Sequence, residues 1–103
     1  MSTPEGRIKR RLAARLKEHS VWYFCPANNG LGTSGIPDFI AIVGGKFIGI
    51  ECKADPSKQP TELQKKRGEE IKTAGGEWYL VRSYEDIDEV IQCLSSKNPK
   101  PSL

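Results

Sequence analysis

A chain of 103 residues has room for one small domain with one core, and not for a second domain. Hydrophobic content of 37% and charged content of 28% exclude a disordered or low-complexity chain. No apolar run approaches the roughly 20 residues of a membrane span, and the polar, basic N-terminus has no signal-peptide core; a cytoplasmic chain without a membrane partner is expected. Sixteen Lys and Arg against thirteen Asp and Glu give a net charge of only +3, so the placing of the charges says more than their sum.

Residues 3 to 19 read as a helix. Ser2 or Thr3 can cap it, Pro4 suits its first turn, and Ile8, Leu12 and Leu16 recur every four positions as a buried stripe. Arg7, Lys9, Arg10, Arg11, Arg15 and Lys17 crowd this segment, which is either a solvated helix face or a footprint for phosphates; Arg7, Arg11 and Arg15 fall off the apolar stripe. Val21 to Cys25 reads as a strand from its aromatic content. Pro26 to Pro37 is a loop, marked by Asn28, Asn29, Gly30, Gly32 and Gly35. Strands follow over 38–43 and 46–53, joined by Gly44-Gly45. Thr61 caps a helix to about Ala74, ended by Gly75-Gly76, and Glu77 to Arg82 is a strand. Ser83 caps a last helix with a stripe of Ile87, Val90, Ile91 and Leu94. The reading is a single domain over 1–96 and a disordered tail over 97–103. Cys25, Cys52 and Cys93, odd in number and far apart, exclude a disulfide framework, and with His19 as sole companion they exclude a zinc cluster.

The hairpin contains an anomaly. A two-residue Gly-Gly loop puts Val43 opposite Lys46 and, counting back, Asp38 opposite Glu51, with Lys53 on the same face. Opposed side chains on one face have Cβ atoms about 5 Å apart. Two carboxylates at that distance repel by roughly 3 kcal/mol at an effective dielectric of 20. Either one acid is protonated, or Lys53 compensates, or a cation sits between them. The opposite face, with Phe39, Ala41, Val43, Ile48, Ile50 and Cys52, is apolar and faces the core. Ile40, Ile42 and Phe47 share the charged face, which is therefore expected to be covered further along the hairpin. Two further polar residues have double readings: Glu5 is a first-turn acid or a site residue, and Gln64, three after Thr61, is a capping-box partner or a site residue.

Pro37-Asp38, twelve intervening residues and then Glu51-Cys52-Lys53 resemble the motif of the PD-(D/E)xK nuclease superfamily. With Glu5 on the first helix, the Gly-x-Pro-Asp entry at residues 35–38 and Gln64 on the second helix, the chain resembles the virus-type replication-repair nuclease family, VRR-NUC, in its compact stand-alone phage or bacterial form. The resemblance spans residues 5 to about 94. It implies an α/β fold with a restriction-endonuclease-like core, α-β-β-β-α-β-α, a mixed sheet flanked by helices. It implies a Mg²⁺- or Mn²⁺-dependent phosphodiesterase in which Asp38, Glu51 and the Cys52 backbone carbonyl bind the ion. Glu5 would complete that site directly or through water. Lys53 would orient the attacking water and balance charge, and Gln64 would position Lys53 or that water.

The expected function is a structure-selective DNA endonuclease acting on branched DNA such as Holliday junctions, as a homodimer. A monomeric flap or nicking nuclease is the alternative among enzymes, and a non-catalytic DNA-binding module the alternative outside them. The intact Asp38, Glu51 and Lys53 argue against the last.

Overall fold

In the computed structural model, which describes residues 3–27 and 32–97, the elements are α1 (Pro4–Glu18), β1 (Trp22–Phe24), β2 (Phe39–Val43), β3 (Lys46–Cys52), α2 (Glu62–Thr73), β4 (Glu77–Val81) and α3 (Tyr84–Lys97). This is the expected order, with ends moved by one or two residues. Helix α3 continues through Lys97, past the expected domain end at 96. The rest of the expected tail, 98–103, lies outside the described residues, as do Ser2 and the Asn28-Asn29-Gly30 stretch of the loop.

The four strands form one mixed sheet in the order β1-β2-β3-β4. β1–β2 and β2–β3 are antiparallel and β3–β4 is parallel, joined through α2. Gly44 and Gly45 both take positive φ, 57° and 80°, which a tight two-residue hairpin turn demands and side chains resist. That turn sets the register: Val43 pairs with Lys46 and Phe39 with Ile50, as the sequence predicts.

Alternation along β2 and β3 then sends Phe39, Ala41, Val43, Ile48, Ile50 and Cys52 to one face. There they meet Ile8, Leu12 and Leu16 of α1 and Ile87, Val90, Ile91 and Leu94 of α3 in a single core. α2 lies on the other face, against β3 and β4. Gly68 lets it come close: a Cβ there would stand 2.7 Å from the Trp78 ring.

Coverage of that second face differs from expectation. α2 reaches Ile40, which is buried, but not the β1 side of the sheet, so Ile42 and Phe47 stay exposed beside Trp22 and Phe24. A helix of twelve residues over a four-stranded sheet covers only part of its width. An apolar hollow of about 450 Å³, lined by Ile36, Pro37, Ile40, Phe47, Ile71 and Ala74, marks the boundary.

Candidate active site

Asp38 enters β2 and Glu51 lies near the end of β3, so the hairpin brings the two acids to one end of the sheet. Asp38 Oδ2 accepts the Cys52 backbone N–H at 2.8 Å, which ties the acid to the opposite strand. Glu51 is 2% exposed and is the only buried charged side chain among the described residues. Its Oε2 accepts from Gln64 Nε2 at 2.9 Å and lies 3.7 Å from Lys53 Nζ. Its Oε1 is buried with no donor.

Burial, and after it the charge of Asp38 and a proton the two acids can share, push the Glu51 carboxyl up from 4.5 to about 8; Lys53 opposes this. A buried acid beside a second acid, with one oxygen unserved, is a site waiting for a proton or a cation. The Cys52 thiol points the other way, into the core, where burial raises its pKa and leaves it unreactive. Cys52 therefore offers this site its backbone alone.

Gln64 does both things its sequence position allows. Its Oε1 accepts the Thr61 backbone N–H at 2.8 Å and Thr61 Oγ1 accepts the Gln64 N–H at 3.1 Å, which is a capping box. The cap fixes which way the amide points. The Nε2 group, turned away from the cap, is the one that reaches Glu51. Gln64 thus holds Glu51, where it was expected to hold Lys53 or a water. Lys53 is anchored by its backbone, donating to the Val81 carbonyl at 2.9 Å, and its side chain is only 16% exposed.

Glu5 stands at the rim in the first turn of α1. It joins the site through Lys9, a residue outside the motif. Lys9 Nζ lies 3.1 Å from Glu5 Oε2 and 3.4 Å from Asp38 Oδ1. Burial alone would lower the Lys9 pKa, but Asp38 and Glu5 outweigh it and hold the ammonium charged. The i, i+4 spacing of Glu5 and Lys9 was a readable signal; the contact with Asp38 was not.

The three arginines assigned to DNA are placed differently. Arg7 and Arg11 are exposed, with Arg11 stacked 5.5 Å over the Tyr84 ring. Arg15 is half-buried and turned towards α3, 3.7 Å from Asp88 and 3.4 Å from Glu18.

Among the described residues no three His, Cys, Asp or Glu side chains form a ready metal cage. What the site offers is two carboxylates with a strand backbone between them. Glu51 Oε1, buried and without a donor, is the atom that asks for a cation. A set made only of oxygens, with few protein ligands, fits Mg²⁺ or Mn²⁺, which keep several waters when bound. A cleft of about 250 Å³, lined by Pro26, Gly35, Asp38 and Gln64 among others, opens beside Asp38.

Comparison with known proteins bears on the fold. A solved structure titled "VRR_NUC domain" superposes with a TM-score of 0.78 and 25% sequence identity, over 88% of this chain and 97% of that one. No family model and no curated protein matches the sequence. No helix among the described residues is long and apolar enough to cross a membrane.

Proposed function

We propose that the chain is a nuclease of the VRR-NUC kind, a Mg²⁺- or Mn²⁺-dependent endonuclease hydrolysing phosphodiester bonds of branched DNA; its likeness to the solved VRR_NUC domain supports this reading. The observation that carries this is Glu51: a carboxylate 2% exposed, beside Asp38, with one buried oxygen lacking any donor. No fold gains stability from that arrangement alone.

In this reading Asp38, Glu51 and the Cys52 backbone carbonyl hold the ion. When bound, it supplies a Lewis acid for the phosphate and lowers the pKa of a coordinated water. Gln64 fixes the Glu51 carboxylate by its 2.9 Å hydrogen bond. Lys53, next to Glu51 and little exposed, orients the attacking water and balances negative charge as the new P–O bond forms and the ester P–O bond breaks. Asp38 is kept in place by the Cys52 amide. Arg7, exposed on α1, meets phosphates without reading sequence. A symmetric dimer would supply two such sites for a junction with two-fold symmetry.

The experiment is a cleavage assay on junction, flap, duplex and single-stranded DNA, with and without Mg²⁺. Metal-dependent cutting strongest on junctions is expected. Cutting confined to flaps or nicks would favour the monomeric alternative, and retained binding with no cutting of any substrate would favour the DNA-binding module.

A further inference from the structure

Lys9, paired with Glu5 at the rim, is left without a part in the reaction above. It comes from the second turn of α1, and buried Ile8 and Leu12 fix the rotation of that helix against the core. Its Nζ lies between two carboxylates, 3.1 Å from Glu5 Oε2 and 3.4 Å from Asp38 Oδ1. An ordinary helix-surface pair would hold Glu5 alone. The reach to Asp38, on a different element, makes Lys9 the bridge between the rim acid and the buried pair. Both oxygens of Asp38 are then engaged, Oδ2 by the Cys52 amide and Oδ1 by Lys9, whereas Glu51 Oε1 is buried with no donor.

We propose that the Lys9 ammonium takes the place of a second divalent cation, so that the site holds one ion, on the Glu51 side, and Glu5 anchors Lys9 instead of binding metal. The inference rests on Asp38 and Glu51 being the metal site. The charge count supports it. Glu5, Asp38 and Glu51 with one scissile phosphate carry four negative charges; Lys9, Lys53 and one divalent ion carry four positive. A second divalent ion would leave these groups with an excess of two positive charges. Removing Lys9 leaves Glu5 Oε2 and Asp38 Oδ1 without the cation between them, which opens a second two-carboxylate position.

The test is the number of Mn²⁺ ions bound per chain, read by electron paramagnetic resonance and calorimetry without DNA, on the wild type, Lys9→Met and Glu5→Gln, each checked for folding by circular dichroism. The expected result is one ion on the wild type, two on Lys9→Met, and one on Glu5→Gln with unchanged affinity. Two ions on the wild type, one on a folded Lys9→Met, or loss of the ion from Glu5→Gln would each overturn the proposal. A wild type that binds no Mn²⁺ at all would remove the metal site first, and is told apart from these because every variant would then also read zero.

Discussion

Glu51 and Gln64 are where single atoms decide the behaviour. Glu51 has its carboxyl raised to about 8 by burial and by Asp38, so the folded chain keeps a proton that the unfolded chain releases near 4.5. Stability from this group is complete below about 4.5 and is lost as pH rises towards 8. The metal-free protein should therefore melt at progressively lower temperature across that window, relative to Glu51→Gln, which has no proton to lose. Saturating Mg²⁺ should remove the difference by giving the anionic form a partner. Parallel melting curves for the two proteins at every pH would contradict the burial of an uncompensated acid. Gln64 invites a sharper substitution than alanine, because its two ends do different work. Gln64→Glu keeps the oxygen that caps Thr61 but puts a carboxylate where the amide donated to Glu51. It should fold with its cap intact yet lose cleavage, while Gln64→Ala should lose cleavage and the hydrogen bond its side chain accepts from the Thr61 amide, about 1 kcal/mol of stability. Full activity in Gln64→Glu would mean that the Glu51 contact has no part in the reaction.

Helix α1 is more divided in role than its run of basic residues implies. Arg15 is tied to Asp88 and Glu18, and Arg11 rests on Tyr84; Arg7 is exposed one turn before Arg11. Neutralising Arg7 should weaken DNA binding across sequences and reduce the salt slope of the binding constant by about one unit, the share of one phosphate. Arg15→Ala should act first on melting temperature through the α1–α3 contact. A salt slope untouched by Arg7→Ala would make that side of the helix a solvated face only. What could be read of these elements in advance follows from how local the physics is. The Gly44-Gly45 turn fixes the parity of the hairpin, so the facing of Asp38 and Glu51 was legible from spacing alone. The Thr61–Gln64 cap was legible for the same reason. Lys9 on Asp38 was not, because it depends on where α1 crosses the start of β2, a tertiary distance no spacing encodes. Gly68 went unremarked although a glycine inside a helix costs about 1 kcal/mol and so marks a close approach, here to Trp78. The reach of α2 across the sheet was hidden too, since sequence gives a helix its length but not its placement.

For the molecule as a whole, the uncovered side of the sheet bears on assembly. Trp22, Phe24 and Ile42 lie side by side on the face that α2 leaves open, with Trp22 59% exposed and its ring edge-on to Phe24 at 5.8 Å between centroids. A second copy meeting this face would bury apolar surface that one small core cannot, and would set two metal sites about one two-fold axis. Light scattering at micromolar concentration should give a dimer mass for the wild type and a monomer mass for Trp22→Ser combined with Ile42→Ser. A wild type that stays monomeric even with junction DNA added would remove the dimer and favour the flap or nicking reading. The central claim, that the opposed acids hold a catalytic cation, is tested most directly by cleavage of junction DNA by the wild type and Glu51→Gln, side by side, with Mg²⁺ present and then chelated. The account predicts that the wild type cuts only with the metal and that Glu51→Gln, folded and at least as stable, does not cut. Equal cutting by Glu51→Gln, or undiminished cutting by the wild type after chelation, would contradict it.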